Sequence, residues 1–128
     1  MLTKAYIPYR GYYSTPFVRW QGSLANEHSI VLGANTSRRF FESKGWDPKM
    51  IEYVLVGSTV YQKQWFYSGP WAAGMMGAAG VPGVLVSQAC STSTFAVYQA
   101  GMGIETGLFG NGWVLLADRC SNGPHATW

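Results

Sequence analysis

The sequence predicts an α/β protein with a mostly parallel sheet and helices packed on it. Short runs of β-branched and apolar residues alternate with longer stretches in which apolar residues recur at helical spacing. The predicted order is β, α, β, α, β, α, β, and strands separated by helices favour parallel pairing with right-handed crossovers. With 128 residues, the chain is long enough for one domain with a hydrophobic core.

The first half of the chain is predicted to contain a strand, a long helix and a short helical turn. Residues 5–9 form the first strand, and residues 24–43 form the helix, with Gly45 as its C-cap. Asp47 then caps a new helical turn with Pro48 at its first position.

The second half alternates strands and helices. The predicted elements are a strand over 51–60 whose regular part ends at Gly57, a helix over 70–80, a strand over 84–89, a helix over 91–107 and a strand over 113–117. Apolar residues surround the helix over 91–107, which predicts its burial on several sides. Gly101 and Gly103 each cost up to ~1 kcal/mol in that helix, so we expect a neighbouring element to approach closely there.

The composition combines 48% hydrophobic residues with only 12% charged residues. One interpretation is an α/β protein with a buried sheet. The other is that a large interface, or further chain, covers apolar faces. The net charge of +3 comes from dispersed basic residues, with Arg38-Arg39 as the only adjacent pair. This pattern argues against a nucleic-acid partner, which requires a denser basic stripe.

The two cysteines, Cys90 and Cys120, belong to no CxxC or His/Cys cluster, so no metal site is predicted. Residues 1–4 lack the apolar core of a secretory signal, and no apolar run approaches the ~20 residues that span a bilayer. We therefore expect a cytoplasmic protein with free thiols.

Cys90 is the candidate catalytic residue. It follows the apolar run 84–89 and precedes a helix, and the N–H groups at a helix start favour an anion such as a thiolate. Ligands bind at such strand-to-helix junctions in parallel sheets. The alternative is a buried cysteine that acts as a small hydrophobe. A cysteine nucleophile needs a base; neither His28 nor His125 has a recognisable pairing with Cys90, so the catalytic set looks incomplete.

Other motifs carry less weight. Residues 101–107 are glycine-rich but fail the spacing and placement of a dinucleotide loop, and the chain has no G-x-S-x-G or P-loop motif. The aromatic run 64–67, together with Trp71, is interpreted as core or interface. A wall for a bulky acyl group, with Trp65 as its test position, is the alternative.

Five segments resemble, in order, segments of the N-terminal half of the thiolase family. They are 22–25 (G-S-L-A), 54–57 (ending in V-G), 84–93 (a Cys after a strand and before small residues), 100–107 (ending in I-x-x-G) and 118–124 (similar to E-x-M-S-x-x-P). Two departures are Asp118 in place of the family's Glu and Leu115-Leu116 where a Gly-Gly pair is usual, so we expect the loop after the last strand to differ.

The resemblance implies a layered thiolase fold and a role for Cys90. In thiolases the matched cysteine accepts the acyl group of a 3-ketoacyl-CoA, and a second coenzyme A then takes it; the reverse is a Claisen condensation. Coenzyme A is thus a substrate, no permanently bound cofactor is implied, and no residue is assigned to bind it. The family's two catalytic histidines and second cysteine lie in its C-terminal half, so these roles are not transferred to His28, His125 or Cys120.

The resemblance also implies an incomplete enzyme. We expect residues 1–128 to be an N-terminal thiolase domain without the C-terminal domain, as a fragment of a longer polypeptide or with the rest supplied by another chain. Alone it should be inactive. Family members form dimers or tetramers, and some use a small accessory subunit with a zinc ribbon and an OB-like domain. The aromatic run suggests a bulky or aromatic acyl group.

Three alternatives stay open. One is a ketoacyl-synthase-like condensing enzyme, which shares the fold and the cysteine. The second is a catalytically silent thiolase-like subunit, which functions in assembly or lipid binding. The third is an unrelated small α/β binding module, against which the low charge and many aromatics argue.

Overall fold

Three parallel strands form the centre of the protein in the computed structural model, which describes residues 1–120. The helices are α1 (Ser29–Lys44), α2 (Ser68–Met76) and α3 (Thr92–Glu105), and the strands are β1 (Tyr53–Gly57), β2 (Gly83–Val86) and β3 (Gly112–Leu116). Short 3₁₀ turns span Pro48–Met50, Trp65–Tyr67 and Ala89–Ser91. The predicted α/β class and the parallel sheet are confirmed.

The strand β1 lies in the middle of the sheet, whose order is β2-β1-β3. Its last residue, Gly57, pairs with Val86 on one side and Leu116 on the other. Leu115 and Leu116 are therefore part of β3, and a difference in the loop that follows them stays a prediction. A strand buried on both faces is a continuous apolar run, as residues 54–56 are.

The helices cover both faces of the sheet. Val54 and Val56 pack in one cluster with Ile30 and Phe41 of α1 and with Met76 of α2. Between them in the strand, Leu55 packs on the opposite face with Ala100 of α3 and with Phe109. Because side chains alternate across a strand, the run V-L-V serves both faces, and the result is three layers, α-β-α.

The segment before α1 contains no strand, so the prediction for residues 5–9 is wrong. The backbone N–H groups of Thr3, Lys4 and Ala5 donate to the Glu105 carboxylate at the end of α3 instead of to a neighbouring strand. A turn follows, in which the Gly11 N–H donates to the Pro8 carbonyl at 2.8 Å. Glu105 thus satisfies the backbone donors that a sheet would otherwise have to satisfy.

Tyr13 fixes this N-terminal segment at a second point. Its hydroxyl lies 2.9 Å from both Thr36 Oγ1 and Ser37 Oγ on α1. Ser37 is fully buried and also accepts from Trp113 Nε1 at 3.1 Å. The segment is thereby attached to α1 and β3 as well as to α3.

The helix α1 begins five residues later than predicted. Residues 22–27 form tight turns, with the Ala25 N–H on the Gly22 carbonyl and the Glu27 N–H on the Leu24 carbonyl. His28 is the N-cap, and its side chain accepts from the Ile30 N–H. The predicted C-cap is confirmed, since Gly45 has a left-handed φ of 65°. The turn capped by Asp47 is also confirmed.

Close approach at both α3 glycines is confirmed. A Cβ on Gly101 would lie 2.8 Å from Leu2 Cδ1, and one on Gly103 would lie 2.3 Å from the Phe109 ring. Burial of this helix on several sides is wrong for the part of the chain that the structure describes, however. The buried face holds small residues, whereas Val97, Tyr98 and Met102 are 36–55% exposed.

Replacing Gly103 with alanine should destabilise the protein, although alanine is the better helix former. The added methyl would enter the space of the buried Phe109 ring, which stacks on Tyr53 at a centroid distance of 4.9 Å. Such overpacking costs about 1–3 kcal/mol. In α2, a Cβ on Gly74 would meet no atom within 4 Å, so Gly74→Ala is a matched control. We expect it to stabilise by roughly 0.5–1 kcal/mol. Urea unfolding measures both, and equal effects would contradict the packing argument.

Acidification should release the first residues of the chain from α3. Hydrogen bonds from the backbone N–H groups of Lys4 and Ala5, and then of Thr3, lower the pKa of Glu105 from 4.5 and outweigh the opposing effect of desolvation. A carboxylate with a lowered pKa stabilises the folded state above 4.5, and this contribution disappears as the pH falls through the lower folded value. Hydrogen exchange of the Lys4 and Ala5 amides should accelerate, relative to core amides, in that window. In Glu105→Ala the two amides should exchange fast at every pH; slow exchange there would contradict the contact.

Candidate active site

Cys90 lies in the connection between β2 and α3. After Val86 the chain passes through Ser87 and Gln88 into the 3₁₀ turn Ala89–Ser91, and α3 begins at Thr92. The predicted succession of strand, sharp turn and helix is confirmed. The thiol is free and exposed, so Cys90 is not a buried small hydrophobe. It lies at the carboxyl edge of a parallel sheet, where ligand sites form.

The residue before the cysteine has an unfavourable backbone conformation. Ala89 has φ = +48°, a left-handed value that L-residues other than Asn and Asp rarely adopt. Such a conformation costs of order 1–3 kcal/mol and persists only where the surroundings impose it. The strained residue directly precedes Cys90, so its conformation sets the direction in which the chain enters the turn.

Two hydroxyl side chains impose this conformation. Thr92 Oγ1 accepts from the Gln88 N–H at 2.7 Å and donates to the Ala89 carbonyl at 2.8 Å. Ser91 Oγ donates to the Gln88 carbonyl at 2.8 Å, as does the Ser91 N–H at 3.0 Å. The Ala89 carbonyl also accepts from the Thr92 N–H.

This turn modifies the expectation of free N–H groups beside the thiol. The N–H groups of Ser91 and Thr92, at the start of α3, are already bonded to Gln88 and Ala89. The 3₁₀ turn satisfies them because it extends the helical hydrogen bonding upstream of α3. The hydroxyl residues after Cys90 therefore shape the turn.

Asp118, which follows β3, joins the loops after β1 and β3 at the same edge of the sheet. Its carboxylate accepts from the N–H groups of Thr59, at 2.9 Å, and Val60, at 3.2 Å, and from the Thr59 hydroxyl. Cys120 Sγ lies 3.9 Å from the same hydroxyl. Sequence reasoning treated Asp118 only as a departure from a family motif. The available signal was an acidic residue directly after a predicted strand, since the ends of parallel strands lie side by side at one edge of the sheet.

Arg119 fixes the turns that precede α1. Its guanidinium donates to the carbonyls of Ala25, at 2.9 Å, and Glu27, at 2.8 Å. The loop after β3 is thus tied both to the loop after β1 and to the entry of α1.

His28 is occupied structurally. Its Nδ1 accepts from the Ile30 N–H at 3.2 Å, and its Nε2 lies 2.7 Å from the Lys63 carbonyl. This network assigns the neutral tautomer with the proton on Nε2, and no contact joins the ring to Cys90 among the described residues. His125 and the matched residues 121–124 lie outside the described residues.

A shallow groove of about 320 Å³ runs along the outer side of β2. It is lined by Val84, Leu85, Val86, Ser87, Gln88, Phe95 and Gln99. Trp65 does not line it; the indole instead donates to Ser58 Oγ at 3.0 Å and packs edge-on against Tyr61. The structure therefore gives no support to Trp65 as a wall of this groove.

Residues 1–120 contain neither a candidate metal site nor a membrane-spanning helix. No three His, Cys, Asp or Glu residues there are grouped so that they could hold a metal ion. None of the helices there has the length and apolar character needed to cross a membrane.

No protein-family model and no curated protein matches the chain. Several solved structures, however, are similar to it. The acetyl-CoA acetyltransferase of Syntrophomonas wolfei is 23% identical over 73% of this chain, with a TM-score of 0.65. That of Bacillus anthracis is 20% identical over 87%, with a TM-score of 0.66. The dimeric peroxisomal thiolase of Saccharomyces cerevisiae is 21% identical over 70%, with a TM-score of 0.60.

These likenesses identify the class of fold. The described residues have the layered α/β architecture of thiolases, which confirms the resemblance at the level of the fold. The aligned region spans 24–28% of the length of these structures.

Proposed function

We propose that this chain is the N-terminal part of a thiolase-type acyl-CoA acyltransferase with Cys90 as its nucleophile. The observation that carries the proposal is an exposed thiol on a strained strand-to-helix turn, at the carboxyl edge of a parallel sheet with the thiolase fold. Strain held next to a reactive group is a feature of functional sites.

The proposed reaction is thiolytic cleavage of a 3-ketoacyl-CoA. The Cys90 thiolate attacks the 3-keto carbonyl, and the bond between C2 and C3 breaks. Its electron pair remains on C2, which is protonated to give acetyl-CoA or another acyl-CoA. The acyl group stays on Cys90 as a thioester until the thiolate of a second coenzyme A attacks it and restores the cysteine. Splitting the transfer in this way replaces one difficult step by two easier ones.

This reaction also needs groups that take and return protons. His28 is engaged by Ile30 and Lys63, so we propose that the acid and base come from a C-terminal domain, in the same polypeptide or another chain. A ketoacyl-synthase-like enzyme or a silent thiolase-like subunit are the alternatives. A bulky acyl group and an accessory zinc-ribbon subunit stay predictions.

Incubation with acyl-CoA should leave an acyl group on Cys90 without turnover. We expect intact-mass spectrometry to show one hydroxylamine-sensitive adduct on the wild type and on Cys120→Ala, and none on Cys90→Ala. Cys120 is the matched control, since it is also free and exposed. An adduct that requires Cys120 would contradict the assignment. No adduct on any variant favours the silent subunit, and steady thiolysis by this chain alone would overturn the need for a C-terminal domain.

We further propose that the chain self-associates through the outer edge of β2. This strand pairs only with β1 among the described strands, and its other edge borders the groove. An unprotected apolar edge strand is a template for another strand. No charged residue occurs between Lys63 and Glu105, a range that includes β2 and all of α3 except its last residue. Two chains of the same net charge can therefore meet here without burying a charge.

A cation in the groove should weaken that association. Gln99 lines the groove on α3, so Gln99→Lys places two like charges near each other across a two-fold axis. We expect sedimentation to show a wild-type dimer or larger assembly and a shift towards monomer in Gln99→Lys. Asn35→Lys is the control, because it makes the same kind of change on the exposed surface of α1. A monomeric wild type at tens of micromolar, or equal shifts in both variants, would contradict the interface.

A further inference from the structure

We propose that Thr92 is a positioning residue for Cys90, which sets the direction of the thiol by holding Ala89 in its left-handed conformation. The inference rests on the proposed function for its catalytic meaning. The positioning itself rests on geometry, because Thr92 contacts both the residues before the cysteine and the end of the central strand.

The Thr92 hydroxyl makes two hydrogen bonds of opposite sense. It accepts from the Gln88 N–H at 2.7 Å and donates to the Ala89 carbonyl at 2.8 Å. A hydroxyl is suited to this because it offers one donor and two acceptor lone pairs. The two bonds hold the peptide units on either side of the one between Gln88 and Ala89. One of these is the peptide unit that joins Ala89 to Cys90.

The Thr92 methyl packs against the end of the central strand. Thr92 is 6% exposed, and its Cγ2 lies 3.1 Å from the point where a Cβ on Gly57 would be. The methyl therefore occupies the space that the glycine leaves at the carboxyl end of β1. The methyl thus lies against the sheet, and the hydroxyl faces the turn on the other side of the same side chain.

The hydrogen bonds of the Thr92 hydroxyl matter because Ala89 has a positive φ. Without the two hydrogen bonds, Ala89 loses part of what opposes its relaxation to a right-handed conformation. That relaxation rotates the following peptide and redirects the Cys90 side chain. The Ser91 bonds act on the Gln88 carbonyl and leave the Gln88 N–H to Thr92 alone among the described residues.

The test separates the hydroxyl from the methyl. Thr92→Val removes the hydroxyl and keeps the shape, whereas Thr92→Ser keeps the hydroxyl. The readout is the rate of Cys90 alkylation by iodoacetamide across a pH series, in a Cys120→Ala background. We expect Thr92→Val to slow alkylation about tenfold, which corresponds to one or two lost hydrogen bonds, and to move the pH profile. Thr92→Ser should stay close to wild type.

Thr106→Val is the matched control for a general loss of stability. Thr106 lies at the other end of α3 and donates to the Met102 carbonyl at 2.8 Å. We expect this variant to leave the alkylation profile unchanged. Should Thr92→Val fail to fold, the pair Thr92→Ser and Thr92→Ala gives the same comparison, because these two side chains differ only in the hydroxyl.

Two outcomes overturn the inference: wild-type alkylation in the variants without the hydroxyl, and equal slowing in Thr92→Ser and Thr92→Val. The latter would show that packing alone matters. Formation of an acyl adduct with acyl-CoA is measured separately. If wild-type Cys90 is alkylated with the expected dependence on Thr92 but forms no acyl adduct, the proposed function fails and the positioning role stands.

Discussion

The absence of a side chain at Gly57 is the constraint on which the site depends. Gly57 ends the central strand, and its carbonyl accepts from the Ala117 N–H at 2.9 Å as the chain leaves β3. A Cβ there would lie 2.7 Å from Leu116 and 3.1 Å from the Thr92 methyl. Leu116 is 47% exposed and has room to move, whereas Thr92 is buried and fixed by its hydrogen bonds. The glycine is therefore needed for the close approach of α3, and that approach brings the Cys90 turn to the sheet edge.

Small residues also lie at the other contacts between helices and sheet. At the start of α2, a Cβ on Gly69 would lie 2.5 Å from the backbone of Gly83 and Val84, so helix and strand meet backbone to backbone. The buried face of α3 likewise presents Ala96 and Ala100 to the sheet. Since small residues occupy the inner faces, the large apolar side chains of α3 lie outside. This arrangement explains why large apolar side chains such as Tyr98 are exposed in a chain with 48% hydrophobic residues.

Local signals in the sequence were sufficient for the sheet and the turns but not for long-range contacts. The alternation of strands and helices from α1 onward, the C-cap at Gly45 and the cap at Asp47 depend on neighbouring residues, and the structure has them as predicted. Residues 5–9 looked like a strand, yet the Ala5 N–H at the start of this segment bonds to Glu105, a hundred residues away. No local pattern records that partner. The location of Cys90 was predictable from a strand followed by small residues, whereas the left-handed Ala89 was not.

The proposed site and the proposed interface share one short piece of chain. The groove beside β2 is lined by Ser87 and Gln88 as well as by the strand. Gln88 is also the residue whose N–H and carbonyl are held by Thr92 and Ser91. A second copy paired along β2 would therefore lie beside the backbone from which the Cys90 turn begins. In the proposed assembly, the geometry of the thiol and the oligomeric state would therefore be coupled through Gln88.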